Sequence, residues 1–595
     1  MSWNRKDKDP KETIRTIIDI LEDNQIETKI SSENEFKNLW FSNRIEFVGL
    51  NGKGTNGKGI TYEYALASGY AEFMERLQTR MLFEGLFPRK YANKYVEELE
   101  EKMLCTTYLE IFGRYLKRNR LLDVSKIEQI IGCKGKQYNI LKKYYDYTEK
   151  KITYLPERFI FTICGSNGLC SGNTKYEAFC QGLCEVFERY VNYKIYFENK
   201  IILPTIKREV YEKLNSYVMI CALEKKGYSV YIKDCTLGGM LPVLGVLIVN
   251  HNKTKYCFRL GSDINVDICI QRCITEMFQG LDINSTFRLQ MNDLDDCDYE
   301  NFWRLCNLKQ EYYKTVRTGD GKIPRSVFLN PPSINNALKP FVNERLDNEQ
   351  VAKKLTEIAH KYDMHIYIKD YSYLGFNTLG IFVPGFSEII DYDYGIVELQ
   401  NTFDEIRKMI WDEDIDILQL NILLGRIVSE NLISADYTVS ELLGLNLDRS
   451  YQGLLTWNIY LLIAWLNVIL KNAEECEKWL HKYHNTIKIN KHEARIETII
   501  FQAIISDVSL NVLLEYMDAI VTEKEKLIVI EKAKALYCLY ENGLQLNVCN
   551  ECNECKLYSC CNYPFFIKLR TNLNNKCMGY EQMYNYEDEF YNSEV

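Results

Sequence analysis

Apolar residues recur at helical spacing in three stretches before residue 200. Residues 10–24 carry Ile14, Ile17, Ile18 and Leu21 on one face, the pattern of a surface helix packed on the domain that follows. Residues 65–84 and 175–195 give two further helical patterns, each after a Gly-containing turn, TNGKG and GSNGLCSGNT. Short β-branched or aromatic runs at 229–235, 242–250, 255–260, 364–370 and 376–384 read as strands bounded by turns. Beyond Pro384 no proline occurs before Pro564, and that stretch reads as one helix after another with short polar turns. The pattern predicts an α/β (α+β) domain over 1–400, an all-α domain of antiparallel or repeat-like helix pairs over 401–545, and a cysteine-rich tail over 546–595.

A chain of 595 residues exceeds one ordinary core, which fits this division. A net charge of −9 leaves no basic excess to displace counterions, which argues against a nucleic-acid surface. The first residues, MSWNRKDKDPKETIRTIID, place charges where a signal peptide needs an apolar run, so a cytoplasmic address is expected. The longest apolar stretch, 454–470, holds two Asn and a Thr and reads as a buried helix rather than a membrane span. With no export signal, the 21 cysteines point to thiols or metal sites rather than a disulfide framework.

The stretch GLNGKGTNGKGITYEYALASGYAEFMER opens like a phosphate-binding loop. Gly52, Gly57 and Lys58 fit a Walker A loop, but Gly59 stands where the magnesium-binding hydroxyl belongs. Any metal ligands must come from elsewhere. On the helix that follows, Ser68, Glu72, Glu75 and Arg76 fall at i, i+4, i+7 and i+8, on one face. The second helix repeats the arrangement with Glu177, Gln181, Glu185, Glu188 and Arg189. Both stripes run along otherwise apolar helices, and carboxylates gathered in such surroundings take up protons unless cations hold them ionised. Magnesium suits carboxylates together with phosphates; solvated faces with i, i+4 ion pairs are the plain alternative. A third helix, CIQRCITEMFQG, sets Arg272 and Glu276 at i, i+4.

These residues resemble the YcaO family, whose motifs are Ser-x3-Glu-x-x-Glu-Arg, Ser-x6-Glu-x3-Gln-x3-Glu-x-x-Glu-Arg and Arg-x3-Glu. SGYAEFMER, CSGNTKYEAFCQGLCEVFER and RCITE match them in order and spacing. NGKGITYEYALASGYAEFMERL, SNGLCSGNT, CTLGGMLPV and YLGFNTLGIFVPGFSEI are similar to the stand-alone type, and the helices after 400 resemble its tetratricopeptide-like region. The resemblance implies an ATP-binding domain without a P-loop, with magnesium held by Glu72, Glu75, Glu185 and Glu188 and with Glu177 nearby. It assigns Ser68, Arg76, Gln181, Arg189 and Arg272 to the nucleotide, Glu276 to supporting that site, and Lys58 to phosphate. Characterised members phosphorylate a peptide backbone amide oxygen, so that a Cys, Ser or Thr side chain, sulfide or an amine displaces phosphate. Cys170 stands where the second motif has Ser, with Ser171 directly after it, which changes the hydrogen bond expected there. The chain closes YNSEV, without the proline-rich terminus of azoline-forming members, and nothing upstream resembles a peptide-clamping domain; azoline formation is disfavoured. The expected activity is amide activation for thioamide or related chemistry on a peptide or protein, with a sulfur-delivery protein as a candidate partner and a homodimer as the assembly. The competing expectation is an accessory factor for a radical-SAM methylthiotransferase acting on a ribosomal protein.

Outside the resemblance lies CNECNECKLYSCC. Cys549, Cys552, Cys555, Cys560 and Cys561, with Cys577 beyond, have spacings that suit zinc or an iron–sulfur cluster; scattered thiols or redox pairs are the alternative. His481 and His484, on one helix, read as a solvated pair.

Overall fold

The computed structural model describes residues 5–83, 101–128, 141–198, 201–278, 305–329, 338–391, 402–410, 415–429, 437–447, 453–542 and 559–592, apart from isolated positions within those spans, together with Leu86 and 292–293. The first domain holds three antiparallel sheets among the described residues. A meander joins β1 (Thr28–Phe36), β2 (Trp40–Phe47) and β3 (Gly54–Gly59). A second sheet has the order β5-β4-β11-β12-β6, from β4 (Lys142–Asp146), β5 (Lys151–Leu155), β6 (Leu169–Gly172), β11 (Tyr367–Asp370) and β12 (Asn377–Phe382). A third has the order β10-β9-β8-β7, from β7 (Ser229–Asp234), β8 (Val243–Val249), β9 (Lys255–Ser262) and β10 (Asn292–Asp293). The five strands expected after residue 229 are all present.

The helices of the first domain that matter to the site are α1 (Pro10–Asp23), α2 (Tyr62–Gln78), α3 (Lys175–Phe197), α4 (Val266–Glu276) and α5 (Asn348–Lys361), with others between them, among them Glu101–Arg118 and Leu305–Arg317. The three that carry the acidic and basic stripes each start on a side-chain cap. Thr61 accepts from the Tyr64 N–H, Thr174 from Glu177 and Asn265 from Ile268, which satisfies a backbone donor that helix geometry leaves open. The main core packs Phe179, Leu183, Val186 and Phe187 of α3 against Leu379 and Ile381 of β12 and Phe258 and Leu260 of β9. A separate core packs α4 against β7 and β8.

TNGKG and GSNGLCSGNT are expected as turns, but the first lies within β3 and the second contains β6. The glycines serve close packing. A Cβ on Gly57 would overlap the Ala65 carbonyl oxygen and sit 2.6 Å from the Gly69 nitrogen. One on Gly172 would sit 2.7 Å from the Ala178 nitrogen. Helix backbones therefore lie directly on both strands, which only glycine permits.

After residue 400 the described chain is helical: α6 (Ile417–Ser429), α7 (Ile459–Ile469), α8 (Ala473–Ile487), α9 (Lys491–Ile505), α10 (Leu510–Asp518) and α11 (Glu523–Asn542). They surround their own core, centred on Trp465, Phe501 and Leu424. The apolar run 454–470 is the buried α7 with a short helical turn before it, and no described helix is long and apolar enough to cross a membrane. His484 is buried and bonded to Glu497 at 2.7 Å rather than solvated, because α9 packs over it. The last segment, α12 (Tyr563–Met583) with residues 584–592, returns to the first domain. Phe566, Leu569 and Leu573 pack with Phe47 and Phe73, and Tyr586, Phe590 and Tyr591 enter the main core.

Candidate functional site

Four elements converge: β3 brings Lys58, α2 brings Glu72, Glu75 and Arg76, α3 brings Gln181, Glu185, Glu188 and Arg189, and α4 brings Arg272 and Glu276. Lys58 is ion-paired with Glu276, and the Arg272 guanidinium donates to the Gln181 side-chain oxygen at 2.8 Å. Arg76 lies 3.6 Å from Glu72 and 3.5 Å from Glu75, and Arg189 lies 3.8 Å from Glu185. Helical spacing sets these residues on stripes, and the fold turns the stripes toward one another.

The electrostatics report the same proximity. Burial raises Glu75 well above the usual carboxylate range; Arg76 opposes this, while Glu72 and Glu185, the latter from the facing helix, add to it. Glu185 is raised by burial and by Glu188, against Arg189, Arg76 and Arg272. Burial, then Arg272, lowers Lys58 to about 8, although Glu188 and Glu72 oppose the change. Burial depresses Arg76, but Glu75, Glu72 and Glu185 outweigh it and hold the guanidinium charged.

A buried carboxylate, Glu75, and a half-buried one, Glu185, come from different helices and are both driven toward protonation; they offer hard, mutually repelling oxygens of the kind divalent cations take, beside cationic groups whose charge suits phosphate oxygens. The residues present therefore suit a magnesium-bound polyphosphate. Glu75 and Glu185, with Glu72 and Glu188, are the carboxylates available to the metal.

Other predicted residues take different places. Glu177 is held by Lys6 at 2.8 Å, by the Asp7 N–H at 3.0 Å and by Asn173 at 3.0 Å. Burial would raise it, yet Lys6 and these donors bring it below the ordinary range. Ser171 donates to the Ala71 carbonyl at 2.7 Å, tying β6 to α2 next to Glu72. Cys170 is fully buried, its thiol 3.4 Å from the Leu379 carbonyl and Gly182 packed against it. Burial raises that thiol strongly, and the Glu75 and Glu185 carboxylates raise it further, which puts Cys170 beneath the acidic pair. Ser68 is half-buried on α2, one turn before Glu72.

Cys549, Cys552 and Cys555 lie outside the described residues. Cys560 and Cys561 are half-buried and Cys577 is buried. Cys577 sits fourteen positions along α12 from Tyr563, about 20 Å at the helical rise. It therefore cannot share a metal ion with Cys560 and Cys561, contrary to the six-cysteine set that the sequence suggested. Among the described residues no three His, Cys, Asp or Glu side chains are grouped closely enough to hold one ion, the carboxylates of α2 and α3 included, so a magnesium ion there would rest on one or two of them together with phosphate oxygens.

The sequence reading missed Arg5, Lys6 and Asp7. Lys6 and Asp7 reach Glu177, and Arg5 pairs with Asp263 at the end of β9, near Arg272. Their charges carry no spacing that links residue 6 to residue 177.

Fold and site together give a domain that lacks a complete Walker A loop and brings carboxylates from two helices toward one another. The chain belongs to the YcaO family: the family pattern described as YcaO cyclodehydratase, ATP- and Mg2+-binding, matches residues 56–387, more than half of the sequence. An uncharacterized protein of Haemophilus influenzae is 26% identical over 442 residues, 71% of this chain and 73% of that protein. The ribosomal protein S12 methylthiotransferase accessory factor YcaO of Escherichia coli is 29% identical over 357 residues, 56% of this chain and 57% of that protein. Among solved structures, a heterocyclase in complex with substrate and cofactor has a TM-score of 0.43 at 14% identity, covering 67% of this chain and 56% of its own. YcaO from Methanopyrus kandleri bound with AMPPCP and Mg2+ has a TM-score of 0.39 at 16% identity, covering 65% of this chain and 93% of its own.

Proposed function

We propose that this protein uses magnesium and ATP to activate backbone amides of a peptide or protein, most readily for thioamide formation or a related non-azoline change. The observation that carries the reading is the convergence of Glu72, Glu75, Glu185 and Glu188 from α2 and α3 with Lys58, Arg76, Arg189 and Arg272 around them. When bound, magnesium-ATP supplies the phosphoryl group that makes an amide oxygen a leaving group. The chain's residues supply the rest. Glu75 and Glu185 would release their protons to solvent on taking a metal, Lys58 and the three arginines would balance phosphate charge, and the Gln181–Arg272 bond fixes the direction of that guanidinium. The test is peptide-dependent phosphate release, with mass spectrometry for replacement of oxygen by sulfur or loss of water. Peptide-stimulated turnover with either mass change supports the reading, and magnesium-ATP binding with no peptide-stimulated turnover rejects it.

The second reading is a nucleotide-binding accessory factor for a methylthiotransferase that acts on a ribosomal protein. It is favoured by similarity to the Escherichia coli accessory factor. Co-purification with such an enzyme, and an ATP-dependent change in that enzyme's yield, would separate it from the first.

A further inference from the structure

Two stretches far apart in sequence, residues 5–9 and 584–591, meet at the first turn of α3. From one side Asp7 accepts from Thr174, the cap of α3, and Lys6 and the Asp7 N–H hold Glu177. Asn348, at the start of α5, fixes this segment by donating to the Arg5 carbonyl at 2.6 Å and to the Asp7 side chain at 2.8 Å.

From the other side Lys175 pairs with Asp588 and, at 2.8 Å, with Asp370 of β11. Its ammonium lies 4.7 Å from the ring centre of Tyr584 and 4.8 Å from that of Tyr591, close enough for cation–π attraction. Phe590 packs edge-on against Tyr176 at 5.1 Å and Phe179 at 5.7 Å, both on α3.

The segment 584–591 is anchored independently of Lys175. Asp370 accepts from the Tyr591 hydroxyl at 2.9 Å, the Tyr580 hydroxyl at 3.0 Å and the Ser372 N–H at 2.9 Å. The Tyr591 carbonyl accepts from Tyr145 at 3.0 Å. Removing the lysine charge therefore leaves Asp370 with three donors and the segment still seated on the sheet. What it removes is the ionic tie between that segment and α3.

Gln181, Glu185, Glu188 and Arg189 all lie further along this same helix. A helix transmits a shift of its first turn along its axis, and Gly182 packed on Cys170 leaves little room to absorb one. We propose that residues 584–591 act as a strap that sets the position of α3, with Lys175 as the positioning residue through which it works. The proposal rests on the reading that Glu185, Glu188 and Arg189 hold magnesium-bound nucleotide.

The test compares the full chain with Lys175→Met and Lys175→Arg. Calorimetric titration with magnesium-ATP gives the affinity, and amide hydrogen exchange follows residues 178–182, the first hydrogen-bonded turn of α3. Because small misplacements of a site are costly, Lys175→Met is expected to weaken magnesium-ATP by about tenfold and to speed exchange in that turn more than in the rest of the core, with a lowered unfolding midpoint because buried Asp370 loses its cation. Lys175→Arg, which keeps charge and reach, restores both readouts. Faster exchange with undiminished affinity overturns the positioning role. Unchanged exchange shows that the strap does not hold the helix, whatever the nucleotide does. Failure of the unsubstituted protein to bind magnesium-ATP overturns the nucleotide reading and this proposal with it. Should Lys175→Met fail to fold, Asp588→Asn on the exposed side of the pair is judged by the same criteria.

Discussion

Glu75 and Glu185 set the pH behaviour of the site. Burial raises both, so between the unfolded and folded pKa values the folded chain holds more protons than the unfolded one. In that window stability without metal falls as pH rises, and a cation that displaces the protons binds more tightly as pH rises. The increase in unfolding temperature on adding magnesium-ATP is therefore expected to be larger at about pH 8 than at about pH 6. Glu75→Gln should raise the metal-free midpoint at the higher pH and remove most of the magnesium-dependent increase, which differential scanning fluorimetry would record. Lys58 works in the opposite sense. Burial and Arg272 lower it to about 8, so its charge is a cost to the folded state at neutral pH that a bound phosphate offsets. Nucleotide affinity should then fall as pH passes through about 8. Lys58→Met should flatten that limb and lower affinity at neutral pH by about tenfold, the loss expected for one charged contact. A limb that persists in the Met variant would assign the titration to another group.

Glycines determine how closely the elements that carry the site approach each other. The α2 backbone rests on β3 at Gly57 and Gly69, which seats Glu72 and Glu75 opposite Glu185. Gly57→Ala puts a methyl against the Ala65 carbonyl, where no flexible side chain can give way. The expected cost is about 3 kcal/mol of unfolding free energy, measured from urea midpoints, together with loss of magnesium-ATP binding. Recovery of full stability would mean that α2 moves away from the strand freely. The helix stripes were legible because a 3.6-residue period reports a face directly. TNGKG and LCSG were not legible as strands, since Gly, Asn and Ser favour turns locally and only packing by a helix overrides that preference. Lys6, which meets Glu177 across 171 positions, belongs to no period at all.

At the scale of the whole molecule, the helical character of the chain beyond residue 400 follows from the pattern, but the return of the last segment to the sheets before it does not. Its anchors are scattered tyrosines, Tyr580, Tyr586 and Tyr591, whose partners lie more than two hundred positions away. The joint between the domains is polar and centres on Asn446, which is mostly buried. Its side-chain oxygen accepts from the Asn51 N–H at 2.8 Å and from Asn562 at 2.9 Å, and its amide donates to the Asn51 carbonyl at 2.9 Å. Its own carbonyl accepts from the Asn562 N–H at 2.8 Å. One side chain thus joins the helical domain to the hairpin that leads into β3 and to the start of α12. Asn446→Ala leaves Asn51 without the two partners that occupied its backbone groups, at about 1–3 kcal/mol. That cost falls on the joint and not on either core, because Leu424, Trp465 and Phe501 hold the helical domain without it. Scanning calorimetry should therefore resolve two transitions where the unsubstituted chain gives a more cooperative one, with the helical domain melting near its original temperature. A single unshifted transition in the variant would mean that the domains are held together by the packing of α12 rather than by the asparagine joint.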